Sequence, residues 1–225
     1  MKRKHDFEDN LYMIWIRRLY CLLSGGLLFS FTMLPLVFVV LTCAIVPENL
    51  VWFVVDSCPF GVAWIALMAF LDQFWEQGDV EPVKAYAKAI KMFWRVGLSY
   101  WLLTVLILVI CMTDLFFLSQ TRYFLWLSPS FLLLSGAVIG LFLNLCYFQI
   151  RNPGSTFKEV LRISLYYLLR KWYVTLINTI LFLSLFIGMF LKPQFGFVLL
   201  PEALGLLLLL NLKQLHQGKS RSEFN

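Results

Sequence analysis

Residues 84–118 read KAYAKAIKMFWRVGLSYWLLTVLILVICMTDLFFL, and the change of character at Val96 decides the fold. Before it, Lys84, Lys88, Lys91 and Arg95 recur at spacings of four, three and four, which aligns them in one stripe of an α-helix. From Val96 to Leu118 the only charge is Asp114. About 20 apolar helical residues cross the roughly 30 Å hydrocarbon core of a bilayer. The stretch predicts a basic amphipathic helix over Val80–Val96 that runs straight into a membrane span.

The same reading applies to the flanking sequence. Further apolar runs cover Tyr20–Val46, Val51–Phe74, Tyr123–Ile150, Trp172–Leu191 and Phe195–Leu212. Hydrophobic residues make up 60% of the 225 positions and charged residues 14%, against about 25% charged in a soluble domain. So short a chain cannot hide this many all-round apolar helices from water by packing alone. The expected fold is all-α: a polytopic membrane helical bundle forming one domain over residues 1–225, with six transmembrane helices. Pro35 is expected to kink the first span. Asp56-Ser57-Cys58-Pro59 reads as a helix start, so the second span begins either at Val51 or near Pro59, with Val51–Val55 then interfacial. Pro129 is expected to mark the true start of the fourth, leaving Tyr123–Leu127 with Trp126 at the interface. The first run is too long for a signal peptide and lacks a small-residue cleavage site, so it is expected to stay as an anchor.

Orientation follows from Lys and Arg, which membrane proteins retain on the cytoplasmic side. With the amino terminus inside, the inner segments hold Lys2, Arg3, Lys4, Arg17 and Arg18; Lys84, Lys88, Lys91 and Arg95; Arg151, Lys158, Arg162, Arg170 and Lys171; and Lys213, Lys219 and Arg221. That is 17 of the 19 basic residues, and only Arg122 and Lys192 fall outside. Both termini are therefore expected in the cytoplasm. The net charge of +6 is topogenic, and nucleic acid is not an expected partner.

A second amphipathic helix is expected at 156–171. It opens on Thr156-Phe157-Lys158-Glu159, a capping box, and sets Lys158 and Arg162 against Val160, Leu161, Leu165 and Leu168. In the first such helix Val83, Ala87, Ile90 and Trp94 form the apolar stripe, and Asp79 is the expected cap. Both helices are candidates for contact with membrane lipids or a protein partner. A shift of 74 residues pairs Ala63 with Ala137, Leu71 with Leu145, Phe74 with Phe148, Lys84 with Lys158 and Lys88 with Arg162. This is a candidate internal repeat, with shared topology as the alternative explanation.

Within the spans, Glu202 stands out. A carboxyl in a membrane helix normally faces the protein interior or a watery cavity, so it is either a cation or proton site or a shallow residue at a late-starting helix. Asp56 and Asp72 are expected to be interfacial or capping residues. Asn144, Asn178 and Asn211 are expected to hydrogen-bond across helices, and Gly136 and Gly140 give the fourth helix a close-packing G-x-x-x-G face. The five cysteines lie in or beside apolar runs without C-x-x-C spacing, which argues against a zinc site; a Cys43–Cys58 disulfide is the alternative to free thiols. His5 and His216 are expected to be solvated. No phosphate loop, H-E-x-x-H or G-x-S-x-G occurs. No catalytic residue, metal ligand or cofactor is therefore expected, and neither is the cytoplasmic loop signature of a binding-protein-dependent permease.

Pro59-Phe60-Gly61-Val62-Ala63-Trp64-Ile65-Ala66-Leu67, then Gln77-Gly78-Asp79 and the Lys84–Arg95 helix, resemble the YesL family of small bacterial membrane proteins, a domain of unknown function. The length and six-span layout extend the resemblance over nearly the whole chain. The chain lacks that family's asparagine-leucine-leucine in the first helix and its phenylalanine-rich loop start. The resemblance implies a bacterial plasma membrane protein accessory to a carbohydrate ABC importer, with permease subunits as partners. From the residues alone the alternative is a small secondary transporter or channel, because broken helices and repeats mark transporter sites; its sites would lie near Asp56 and Glu202.

Overall fold

A computed structural model describes residues 11–44, 46–78 and 80–220. The basic residues Lys2, Arg3, Lys4 and Arg221, His5 and the expected cap Asp79 lie outside these, as do the side chains of His216 and Lys219. The described backbone is helical almost throughout: α1 (Leu11–Thr32), α2 (Leu34–Thr42), α3 (Leu50–Asp56), α4 (Cys58–Gln77), α5 (Pro82–Ser119), α6 (Phe124–Arg151), α7 (Phe157–Arg170), α8 (Trp172–Leu191), α9 (Pro193–Gly196) and α10 (Leu200–Ser220).

Among the described residues, four segments are long and apolar enough to cross a bilayer: Leu50–Gln77, Pro82–Ser119, Phe124–Arg151 and Trp172–Leu191. The α1–α2 pair, bent by 70°, makes a fifth if it counts as one broken span. Pro35 sits in the first turn of α2 and Met33 is the break, as the sequence predicts, although α1 begins at Leu11 and not at Tyr20. The expected sixth span differs. Phe195 belongs to the one-turn α9, and α10 starts only at Leu200. Its apolar part ends at Leu212, about 20 Å of helix, which is shorter than the hydrocarbon core.

Prolines and one glycine set several boundaries. Pro59 lies in the first turn of α4, the helix start the sequence predicts, with α3 directly before it and both within the Leu50–Gln77 segment; no side chain caps it. Gly78 ends α4 at φ 72°, a conformation that glycine adopts without a Cβ clash. Pro129 lies inside α6, which begins at Phe124, and Tyr123, Leu125 and Trp126 stand exposed ahead of it. The Thr156 capping box forms, with the Thr156 N–H donating to Glu159 Oε2 at 2.8 Å. α7 does not run into the next span, because the chain breaks at Lys171 before α8 begins. The first amphipathic segment does continue, as the opening part of the 38-residue α5.

α4 is the axis of the bundle, buried over nearly its whole length. Gly61 and Gly97 bring α4 and α5 into backbone contact: a Cβ on Gly97 would lie 2.7 Å from the Gly61 carbonyl oxygen. The opening of α5 thus lies antiparallel along α4 and is not a separate surface helix. Around Phe60 the rings of five helices interlock, with Phe29 of α1 at 6.0 Å, Trp101 of α5 at 4.5 Å and Phe186 of α8 at 5.1 Å. Trp64 meets Phe182 at 5.0 Å, and Trp101 meets Phe142 of α6 at 5.2 Å. Helices in lipid gain nothing by hiding apolar surface from one another, so close packing of this kind must hold them.

Six of the eight tryptophans do the opposite. Trp15, Trp52, Trp75, Trp94, Trp126 and Trp172 are 47–83% exposed, which suits amphipathic rings at a membrane–water boundary.

The two glycines of the α6 face differ in a measurable way. A Cβ on Gly140 would overlap the Thr175 methyl of α8, whereas one on Gly136 would meet only the Thr179 methyl at 3.9 Å. Gly140→Ala is expected to destabilise the bundle by about 1–3 kcal/mol and Gly136→Ala by less than about 0.5 kcal/mol. Thermal unfolding of the two variants in the same detergent measures the difference, and equal melting would refute this packing.

Candidate functional site

The densest polar cluster is a charged clamp where α4, α6 and α10 converge. Asp72 was expected at an interface or cap, yet its side chain is 10% exposed and it caps nothing. Arg151 donates through Nη2 to Asp72 Oδ1 at 2.7 Å and through Nη1 to Glu76 Oε1 at 2.7 Å. Lys213 Nζ of α10 lies 3.1 Å from the same Asp72 oxygen and stands over the Trp75 ring at 5.7 Å. Two carboxylates and two cations balance, and α4 supplies both acids one turn apart. Near Lys213, Lys171 Nζ donates to the Gln214 carbonyl at 2.7 Å, so the α7–α8 junction closes over the same end.

Inside the bundle a polar seam joins α6, α8 and α10. Asn211 Nδ2 donates to Asn178 Oδ1 at 2.8 Å, the cross-helix amide pair expected from the sequence. Thr175, Asn178 and Thr179 share a face of α8, against which Gly136 and Gly140 of α6 pack. Asn144 extends the glycine face by one turn and is fully buried, but neither of its side-chain polar atoms has a partner among the described residues. The expected cross-helix bond of Asn144 is not made among the described residues.

Glu202 falls in the first turn of α10 and not inside a span broken by Pro201, because the helix starts late. It is 5% exposed. Its carboxyl is pressed against α1, where a Cβ on Gly25 would overlap Oε1 and one on Gly26 would overlap the Val198 carbonyl. Ser30 of α1 donates to the Phe197 carbonyl at 2.7 Å and ties the α9–α10 turn to the same helix. Asp56 is elsewhere. It ends α3 and lines an apolar groove of about 560 Å³ with Leu34, Phe38 and Trp52, on the outside of the α2–α3 corner. Asp56 and Glu202, the two candidate transport sites, thus lie on different elements, α3 and α10.

The basic stripe behaves as expected on one side and not on the other. Lys84, Lys88, Lys91 and Arg95 are all exposed, with Lys84 paired to Glu81 at 2.6 Å. That pairing raises the Lys84 pKa, through the hydrogen bond first and then the carboxylate's charge. The buried face is Tyr86, Ala89, Phe93, Gly97 and Tyr100. Val83, Ala87 and Trp94 of the expected apolar stripe are exposed, because α4 approaches from the side opposite the lysines. On α7, Val160 is buried and Leu161 and Leu168 are half-buried as expected, while Leu165 is exposed beside Lys158 and Arg162.

Sequence reasoning missed the clamp. Its signal is the placement of Asp72, Glu76, Arg151 and Lys213 each at the same end of a different or adjoining apolar run. Among the described residues no group of three His, Cys, Asp or Glu is placed to hold a metal ion, and the five cysteines are all free thiols.

Removing one member of a buried ion pair strands its partner, which costs about 3–5 kcal/mol when fully buried. Asp72→Ala is expected to cost about 2–4 kcal/mol, since Arg151 keeps some exposure. Glu76→Ala, at a side chain 53% exposed, is expected to cost less than about 1 kcal/mol. Unfolding of both variants by denaturant in detergent checks the ordering, and a Glu76 effect as large as that of Asp72 would refute the hub assigned to Asp72. Comparison with known protein families, with curated proteins and with solved structures finds no match for this chain.

Proposed function

We propose that this chain is a non-enzymatic accessory protein of a bacterial plasma membrane, working beside a carbohydrate ABC importer. In this reading it crosses the bilayer six times with both termini in the cytoplasm, the bent α1–α2 pair forming the first passage and α10 the last. The halves that begin at α4 and α6 would descend from one duplicated unit.

The observation that carries the reading is the ring cluster around Phe60. It fills the centre of the bundle from five helices, which suits a scaffold better than a conduit. The resemblance of Pro59–Leu67 and Lys84–Arg95 to the YesL family supplies the importer. The contact surface assigned to the permease subunits is the outer face of α7, a discrete helix bounded by the Thr156 box and the Lys171 break. There Leu165, Tyr166 and Leu169 stand exposed among Lys158, Arg162 and Arg170.

A second reading, a small secondary transporter, draws on one observation: a helix broken by 70° with a buried carboxyl, Glu202, packed on its first half. Substrate flux in proteoliposomes that drops on Glu202→Gln would favour it.

Affinity purification from gently solubilised native membranes, followed by mass spectrometry, is expected to recover a permease subunit. Recovery is expected to fall at least tenfold for Lys158→Glu with Arg162→Glu. Preparations that contain the folded protein and never a transporter subunit would sink the importer reading. For topology, cysteines introduced at Lys158 and Arg162 are expected to resist an impermeant maleimide from outside intact cells, while ones at Arg122 and Lys192 react.

A further inference from the structure

Glu202 stands in the first turn of α10, yet its side chain is only 5% exposed. α1 closes over it: a Cβ on Gly25 would overlap Oε1, and one on Gly26 would lie 3.4 Å from Cδ. Phe70 of α4 forms the next wall, its ring 2.6 Å from where a Cβ on Gly25 would stand. The turn before α10 brings the Val198 carbonyl against Gly26. The titratable group facing the carboxyl from α1 is the Cys21 thiol, one turn before Gly25; it is itself buried and donates to the Val80 carbonyl. The Gly26 backbone N–H bonds the carboxyl, while Oε1 has no partner among the described residues. No Lys, Arg or His is paired with Glu202 among the described residues, and no group of three His, Cys, Asp or Glu is placed there to hold a metal ion.

We propose that Glu202 is a proton-binding site, which takes up a proton when α1 closes on α10 and returns it to water only when α1 moves away. The proton adds to Oε1 of the carboxylate, and no other bond forms or breaks. An ionised carboxylate withdrawn from water and left without a cation is far less favourable than the neutral acid, so such a group neutralises. The surroundings favour the acid further: the Val198 carbonyl only accepts hydrogen bonds, so it suits a protonated carboxyl and opposes an ionised one. Burial of the carboxyl and the seating of α1 are then one equilibrium. Because the neutral form is the buried one, the contact of α1 with α10 is held at low pH and is lost as pH rises through the range in which the seated carboxyl ionises. The grip falls on Gly25 and Gly26, two turns before the 70° bend at Met33. The proposal rests on the packing of α1 against α10 and on neither the importer nor the transport reading.

The test uses the full chain in dodecyl maltoside, a detergent without ester or carboxyl groups. Infrared difference spectra at neutral pH, unmodified protein against Glu202→Gln, are expected to show a protonated-carboxyl band that moves on exchange into heavy water and is missing from the variant. The amide has the shape of the neutral acid, so Glu202→Gln is expected to fold and to keep α1 seated at high pH. Alkylation of Cys21 by an uncharged maleimide, located by mass spectrometry, reports the seating. Raising pH from about 6 to about 9 makes any thiol more reactive, so each rate is divided by that of the unfolded chain. The normalised rate is expected to rise at least about tenfold in the unmodified protein and less than about twofold in Glu202→Gln. A carboxylate band in place of the protonated one, lost in the variant, would overturn the proposal in favour of a bound cation. Equal pH dependence of Cys21 in the two proteins would overturn the coupling to α1. Should Glu202→Gln fail to fold, the unmodified protein decides alone. A protonated-carboxyl band that bleaches together with the gain in Cys21 alkylation supports the proposal, and the lack of such a band overturns it.

Discussion

Five helices depend on a single ring. Phe60 sits one turn into α4, and the aromatic side chains of α1, α5 and α8 close on it directly, with α6 joined through Trp101. Between helices surrounded by lipid there is no water to escape, so cohesion has to come from contact itself. Aromatic rings provide many dispersion contacts at low conformational cost, and their edge-to-face pairs add about 0.5–1.5 kcal/mol each beyond that. Gly61, next to Phe60, lets α5 come close enough to place Trp101 in the cluster.

The clamp at the other end of α4 complements this packing. Dispersion is not directional and tolerates sliding, whereas the forked guanidinium of Arg151 meets Asp72 and Glu76 in one geometry only. Lys213 adds α10 to the same carboxylate. The register of α4 and α6 is therefore set by charge near one end and by ring shape near the other, and α10 is tied in at the charged end. With both ends of α4 occupied, the exposed surfaces left are external: the lysine-bearing side of the opening of α5, the outer face of α7 and the α2–α3 corner.

Where expectation and structure part, the cause is a partner distant in the sequence. The apolar stripe assigned to α5 was a reasonable face by spacing, but α4 packs a quarter turn away from it and buries Tyr86, Ala89 and Phe93. Asp72 reads as an interfacial residue because it is near the end of an apolar run, and only the approach of Arg151, 79 positions later, turns it into a hub. Glu202 reads either as a site within the last span or as a shallow residue at a late-starting helix, and the α9 turn, tied to α1 by Ser30 and Phe197, starts that helix at Leu200.

By itself the sequence determined the helical class, the presence of several lipid-length apolar segments, the Pro35 bend, the Pro59 helix start and the Thr156 cap. These are set by composition over about 20 residues or by chemistry within one turn, and no distant partner is needed for either. Only the tertiary structure decided which face of α5 is buried, which carboxylate organises the charges and where α10 begins. Those outcomes depend on which helix arrives as neighbour and from what side, and that is settled by backbone approach at Gly61, Gly97 and Gly140 and by ring packing around Phe60.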